Sequence, residues 1–503
     1  MISIIFSTHK DQTYNDSFIS HLKETISIKE YEILMFQNND EYSLAEVYNK
    51  GISQAKYDIV VCCHNDITLE KGWGRALISD YNNNPKFGII GLAGSSVMPE
   101  SGVYWEQMQQ TMCGNVYHKI GNNPKYLSKF SPKYKNQLLE VVTIDGLFIS
   151  FDKTKIKHRF DESIGKFHFY DHGFTIPNYI DGVKIGVTFS FEITHFSAGV
   201  PNDEFHQSRG FFLSKYSDHL PLKLTPKVFV DKIDIKIKKQ PKVSIIIPSK
   251  DRNDLLFQCI DSILNQTNYS NYEIIIADTG SSDDNISKII QKYNTNNKIK
   301  LVEYNYYHFS KINNDVVKNH ISSDTELIVF CNNDIKLLND SVSLMVKTYQ
   351  ETHNAGTIGI RLHFGDNTIQ HGGVFCLHNQ KENNIRFGHY EIGNYYNYNK
   401  GVSRNRFGNT AAFMMISKKL FEKCGMWNEE YKEAFQDVEL SVKCILGGYE
   451  NIYLGNAVAY HYESQTRKND PEKNQREYND MMNFLVPLIK SNLNKLEKYI
   501  IKI

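Results

Sequence analysis

The chain repeats itself. Residues 58–69 read Asp-Ile-Val-Val-Cys-Cys-His-Asn-Asp-Ile-Thr-Leu, and residues 326–337 read Glu-Leu-Ile-Val-Phe-Cys-Asn-Asn-Asp-Ile-Lys-Leu. Each is a short apolar run of buried-strand type that stops abruptly at polar residues and one carboxylate. The spacing then holds: Asp66 and Asp334 lie 268 residues apart, Asp171 and Asp437 lie 266 apart, and His195 and His461 also 266. An offset kept over that distance means duplication of a whole domain rather than of a short solenoid unit. The length agrees, since 503 residues exceed one ordinary core and fit two.

Each copy reads as strand, helix, strand, helix, strand. In the second half the spacing predicts strands over 242–248 and 272–278 around a helix over 255–265. The matching pieces of the first half are strands over 2–7 and 31–37 and a helix over 17–25. Helices over 44–55 and 311–319 precede the strands that carry Asp66 and Asp334. Such alternation implies a parallel-rich α/β sheet with its ligand site beyond the carboxyl ends of the strands. The expected domains are 1–225 and 242–469, with a Lys-rich linker over 226–241. A tail over 470–503 has helical spacing at Tyr478, Met481, Met482, Leu485, Leu488 and Ile489, read as one helix packed on the second domain. A membrane-surface helix ending in Ile500-Ile501 is the alternative reading.

Composition removes several classes. Lys+Arg and Asp+Glu both total 57, which leaves no basic footprint for nucleic acid. No run reaches the ~18–20 apolar residues needed to span a bilayer, and the start lacks the features of a signal peptide. Eight scattered cysteines with no CxxC pair read as reduced, buried thiols of a cytoplasmic protein. No GxGxxG or GxxxxGK[ST] motif follows a strand, which sets aside dehydrogenases and P-loop enzymes. A sugar nucleotidyltransferase would need a Gly-rich phosphate loop that is also missing.

The second half resembles the inverting family 2 glycosyltransferases of GT-A fold, in particular bacterial polysaccharide and O-antigen transferases. The resemblance is carried by Ile247-Pro248-Ser249-Lys250-Asp251-Arg252, Ala277-Asp278-Thr279-Gly280-Ser281-Ser282-Asp283 and Cys331-Asn332-Asn333-Asp334. It continues through Ile369-Gln370-His371-Gly372-Gly373, Asn409-Thr410-Ala411-Ala412, Phe435-Gln436-Asp437-Val438-Glu439-Leu440 and His461-Tyr462-Glu463-Ser464. The first half is similar to a divergent branch, through His64-Asn65-Asp66, Ile144-Asp145-Gly146-Leu147-Phe148, Phe169-Tyr170-Asp171 and His195-Phe196-Ser197-Ala198-Gly199. The resemblance implies two tandem GT-A domains, the Rossmann-like α/β fold of nucleotide-diphospho-sugar transferases, plus a C-terminal helix. It further implies a nucleoside-diphosphate sugar donor, a UDP-sugar first, and an oligosaccharide or lipid-linked glycan acceptor. The work would be surface polysaccharide synthesis in the cytoplasm, at the inner face of the membrane with peripheral contact.

The chemistry explains the residue types. A departing nucleoside diphosphate develops charge that a divalent cation, Mn²⁺ or Mg²⁺, neutralises on phosphoryl oxygens. Such ions keep open positions for phosphates, so one or two protein ligands suffice. Asp334 and His461 are the candidates in the second half, Asp66 and His195 in the first. Asp334 as a mere cap is the plainer reading. By resemblance Asn332-Asn333-Asp334 stands for an Asp-x-Asp motif with amides in front, directed to ribose. The base that takes the acceptor's proton is Asp437, with Asp171 its counterpart; Phe435 and Val438 would bury Asp437 and raise its pKa. A helix N-terminal carboxylate is the plainer reading there.

The resemblance assigns the nucleoside pocket to Asp278, Pro248, Ser249 and Arg252. Asp278 as a turn former before Thr-Gly-Ser-Ser is the competing reading. Ser7, Thr8 and Asn65 are the first-half counterparts. His371 with Gly372-Gly373 resembles the family's loop near the sugar, a structural histidine being the plainer reading. Arg404 and Arg406 are candidates to hold the diphosphate or an anionic acceptor, exposed loop arginines being the plainer reading. Tyr395, Tyr396 and Tyr398 offer a stacking surface for acceptor sugars. The first half departs at the nucleoside pocket, where Gln37-Asn38 replaces Asp278-Thr279, and His172-Gly173 is expected to weaken the helix after Asp171. It reads as an active, divergent transferase with a scaffold as the alternative, and a non-catalytic carbohydrate-binding protein is the rival for the whole chain.

Overall fold

Strict alternation builds the second sheet. Val243, Ile245 and Ile247 join one apolar layer and Ile246 the other; Ile274 and Ile276 likewise oppose Ile275 and Ala277. Both faces are therefore buried, which is why these strands read as unbroken apolar runs. The computed structural model describes residues 1–107, 111–128, 138–197, 201–225, 228, 230, 235–393, 401–404, 406–431, 434–462 and 471–502. It divides into two units, Met1–Thr225 and Pro226–Ile503.

In the second unit the strands run in the order Ile299–Glu303, Tyr272–Asp278, Lys242–Ser249, Thr325–Cys331, Phe413–Ser417, Ala355–His363, Glu450–His461 and Ile335–Leu337. In the first they run Tyr31–Gln37, Ile2–Thr8, Ile59–Cys63, Phe148–Asp152, Phe87–Gly91, Lys184–Thr188 and Leu138–Val141. From Tyr31–Gln37 to Lys184–Thr188 each pair has the same sense as its counterpart: two parallel, two antiparallel, then one parallel. The antiparallel strands Phe148–Asp152 and Phe413–Ser417 wedge into the middle, so the sheets are mixed rather than parallel-rich. The register at the end also repeats, with Ile67 opposite His195 and Ile335 opposite His461.

Two further expectations change. The helix after Asp171 is not weakened: Tyr170–Ile180 is as long as its counterpart Gln436–Leu446, at 11 residues each. Gly173 packs on Ile164, and the buried His172 lies 3.0 Å from the Thr143 hydroxyl, so tertiary contact overrides propensity. The tail is not one helix. Pro471–Asp480 passes into a π-helical turn over Met481–Leu485, Val486–Lys490 follows with Pro487 in its first turn, and Leu493–Leu496 is a separate helix. It ends as a strand, Ile500–Lys502, parallel to Val374–Asn379, with Ile500 opposite Cys376. Leu485, Ile489, Leu496 and Ile500 share an apolar cluster with Val438 and Val442 of the helix that carries Asp437. Among the described residues no helix is long and apolar enough to cross a membrane.

Candidate active site

The strand Thr325–Cys331 ends where Asn332 donates its N–H to the Ala412 carbonyl at 2.9 Å. The chain turns and re-enters the sheet at Ile335, leaving Asp334 at the strand end with its own carbonyl accepting from the Tyr462 N–H at 3.1 Å. Asp334 Oδ1 is buried and makes no hydrogen bond among the described residues; His461 Nε2 lies 3.2 Å away. His461 Nδ1 meets the Gln370 amide oxygen at 2.7 Å, so Nδ1 carries the proton and Nε2 turns its lone pair to Asp334. The Asn332 amide nitrogen is 3.1 Å from that same Nε2. An orphaned carboxylate oxygen beside an imidazole nitrogen of this tautomer is a donor pair that fits a divalent cation.

Asp437 occupies the first turn of its helix. The turn begins at Phe435 with φ 68°, left-handed backbone that a bulky residue adopts only where its surroundings impose it. One carboxylate oxygen accepts the Ala411 N–H at 3.0 Å and the other the Val438 N–H at 2.8 Å. A cavity of about 620 Å³ is lined by Pro248, Ser249, Asn332, Asn333, Asp334, Asp437 and His461 together, and by Thr279, Tyr307, Phe387 and His389. Asn333 donates to the Ser249 hydroxyl at 3.1 Å across its floor.

Two predicted residues stand off this wall. Asp278 is buried with its carboxylate turned into its own turn, accepting from the N–H groups of Gly280 (3.0 Å) and Ser281 (2.9 Å) and from the Ser281 hydroxyl. The turn requires φ +95° at Gly280, so the local reading of Asp278 describes its side chain. Arg252 forks onto Asp254 at 2.9 and 2.7 Å at the start of the next helix. His371 is wholly buried with Nδ1 3.0 Å from that of His389; burial, then His389, Arg406 and His461, push its pKa well down. Arg404 donates to the Thr352 hydroxyl at 2.9 Å, and Arg406 stacks 3.9 Å over the Tyr390 ring. Tyr395, Tyr396 and Tyr398 lie outside the described residues.

The first unit repeats this scaffold. His64 N–H donates to Leu147 O, the Asp66 carbonyl accepts from the Phe196 N–H, and Asn65 donates to the Thr8 hydroxyl at 2.9 Å just as Asn333 does to Ser249. Ser7 precedes Thr8 at the end of the same strand. Phe169 has φ 62°, and Asp171 accepts from the N–H groups of His172 (2.8 Å) and Gly146. Burial, aided by Asp145, raises the Asp171 pKa. His195 Nε2 lies 3.4 Å from Asp66 Oδ1 and His64 Nδ1 3.7 Å from the same oxygen. Burial alone would raise Asp66, but His195 and His64 outweigh it and hold the carboxyl well below the usual range. Burial alone would lower His195, and Asp66 reverses that. His64 is lowered by burial and by His195.

His64 joins this cluster although the sequence marks it only as a neighbour of Asp66 in His64-Asn65-Asp66. Two further partners emerge from the fold: Gln370, which orients His461, and Tyr170, whose hydroxyl is 2.7 Å from His64 Nε2. No local pattern marks Gln370 or Tyr170, because each comes from a separate strand or helix.

The class defined so far is an α/β protein in which one sheet and one carboxylate-bearing site occur twice. The chain matches the model of the "Glycosyltransferase like family" over residues 3–215 and that of "Glycosyl transferase family 2" over residues 244–425. It is 28% identical over 245 residues to the O-antigen biosynthesis protein RfbC of Myxococcus xanthus, covering 46% of this chain and 18% of that one. It is 30% identical over 264 residues to the uncharacterized protein y4gI of Sinorhizobium fredii, covering 51% and 28%. The chain thus spans less than a third of the length of these curated relatives. Among solved structures it is similar to the mannosyltransferase PcManGT of Pyrobaculum calidifontis (13% identity, TM-score 0.35, 53% of this chain and 76% of that one). It is also similar to TarS of S. aureus (16%, TM-score 0.37, 51% and 41%). The chain is thus a tandem of two glycosyltransferase domains, residues 3–215 matching the glycosyltransferase-like family and residues 244–425 family 2.

Proposed function

We propose that the chain moves a sugar from a nucleoside-diphosphate sugar to a hydroxyl of a glycan acceptor with inversion, the second unit being the better-equipped catalyst. The observation that supports this most is one cavity walled by Asp334, His461 and Asp437. Asp334 and His461 would hold a divalent cation, Mn²⁺ or Mg²⁺, which when bound supplies charge neutralisation to the leaving diphosphate. Ser249, Asn333 and Thr279 line the donor side, and a UDP-sugar is the first donor to try. Asp437, fixed by two backbone N–H groups, accepts the acceptor hydroxyl's proton as that oxygen attacks the anomeric carbon. One displacement assisted by one base inverts that carbon. Asp171 would take the same part in the first unit, beside Asp66 and His195.

The O-antigen relative suggests an oligosaccharide or lipid-linked acceptor in surface polysaccharide synthesis, carried out at the inner face of a membrane. The test is release of nucleoside diphosphate from a panel of nucleotide-sugars, with the bonds formed identified in the product. Asp334→Ala and Asp437→Ala are each expected to abolish one bond, and Asp66→Ala a different one. Full activity in either second-unit variant counts against these roles; an unchanged product set in Asp66→Ala makes the first half a scaffold.

A further inference from the structure

The two strand-end corners differ most at the position two residues before the carboxylate. Where the second unit has Asn332, the first has His64: both sit two residues before the carboxylate, and both donate their N–H to the neighbouring strand's loop, at Ala412 and Leu147 respectively. An amide offers one weak oxygen, whereas a neutral imidazole is a strong donor to transition ions. The side-chain donors of His64, Asp66 and His195 all lie within 4.8 Å of one another. Donors about 2.0–2.2 Å from a shared ion are themselves about 3–4 Å apart, so the 3.4 and 3.7 Å separations to Asp66 Oδ1 need little adjustment. A supporting contact is already built: the Tyr170 hydroxyl engages His64 Nε2 and leaves Nδ1 facing Asp66. Tyr170 has no like counterpart, because Gln436 stands there in the second unit. The Ser197 hydroxyl lies 3.0 Å from His195 Nε2, the nitrogen that also faces Asp66. His64 and Asp66 keep 21% and 30% of their side chains exposed, which leaves room for solvent or phosphate oxygens.

We propose that His64, Asp66 and His195 form a three-ligand transition-metal site that takes its ion without a nucleotide, while the two-ligand corner at Asp334 and His461 needs donor phosphates to complete it. The two halves then differ in metal class: two imidazoles and one carboxylate favour Mn²⁺, Co²⁺ or Zn²⁺ over Mg²⁺. The use of the ion in transfer rests on the reading above; its binding does not.

The experiment titrates the metal-free full-length chain with Mn²⁺ alone, following free Mn²⁺ by electron paramagnetic resonance and heat by calorimetry. One tight ion per chain is expected, displaced by Zn²⁺ or Co²⁺ and not by a tenfold excess of Mg²⁺. His64→Asn, which imports the residue the second half already uses, should weaken it at least about 10-fold; Tyr170→Phe should weaken it less. Asp334→Asn should leave it in place. Unchanged affinity in His64→Asn, loss in Asp334→Asn, or no tight ion without nucleotide overturns the proposal. A chain that binds the ion yet releases no nucleotide from any donor keeps this inference and sinks the transferase reading instead.

Discussion

The two halves agree residue by residue along the strand ends that carry Asp66 and Asp334, and part company at the edge of the sheet. Ser249 pairs with Asp278 across two strands as Thr8 pairs with Gln37. Beyond that point the second unit inserts the helix Asp283–Tyr293 and the edge strand Ile299–Glu303, while the first runs directly to a helix whose capping box is Ser43 and Glu46. At Asp278 a carboxylate locks a glycine turn; at Gln37 an amide lies 3.4 Å from Asn15, which itself accepts from Thr8. The comparison teaches where such a fold can change. Residues on strand ends are tied by ladders on both sides, so moving one breaks several hydrogen bonds; the edge is free to gain or lose a unit.

The largest expected effect is on the proposed base of each half. Asp437→Ala should cost its product bond about 10²–10⁴-fold in kcat, and Asp171→Ala a similar factor on a different bond. Loss of both bonds in either single variant, in kinetics of the full chain, would merge the two sites into one. Because the Asp171 pKa is raised, the first-half rate should fall away in acid at a higher pH than an ordinary aspartate gives, activity being lost as pH drops through that value.

Next comes the edge itself. Burial would raise Glu273, but the ion pair to Lys300 (2.7 Å) and donors from Ser322 and Ser244 hold it at about 2. Lys300 belongs to the inserted strand. Its first-half counterpart Glu32 accepts from the Ser3 hydroxyl and the Lys56 N–H instead. A depressed carboxylate stabilises the fold above its ordinary value near 4.5 and loses that contribution as pH falls toward 2. The amount is on the order of 2–3 kcal/mol. Glu273→Gln should therefore flatten the acid limb of second-unit stability in urea unfolding, and Glu32→Gln should change it less.

A smaller effect belongs to Gln370→Leu, which removes the partner that orients His461. Metal affinity measured with nucleotide present should drop about 10–100-fold, with the first-half ion untouched. Smallest is Gly146→Ala. Its Cβ would overlap the Tyr170 hydroxyl, whereas the second half carries Ala411 at the equivalent place beside Gln436. A loss of about 1 kcal/mol is expected, since the ring can swing aside, together with weaker binding at His64. If calorimetry shows neither, Tyr170 is not what holds that imidazole.

Much of this molecule was legible in the chain alone. The repeat, the apolar runs and the abrupt carboxylates at Asp66 and Asp334 are local, and a short unbroken apolar run between turn residues is enough to mark a strand buried on both faces. The equivalence of the two aspartates, and of the two histidines, followed from a constant interval; that each aspartate meets its histidine came with the resemblance and the chemistry of the departing diphosphate. What the residues alone left open was decided by packing. Asp278 turned inward because its nearest donors were its own loop's N–H groups, and the tail became a strand because the edge beside Cys376 had unpaired backbone groups to satisfy. His64 became a candidate ligand only when the strand Ile193–His195 brought His195 to within reach of it and of Asp66. Local chemistry names the residues able to act; only the sheet decides which of them meet, because each neighbour arrives from a different part of the sequence.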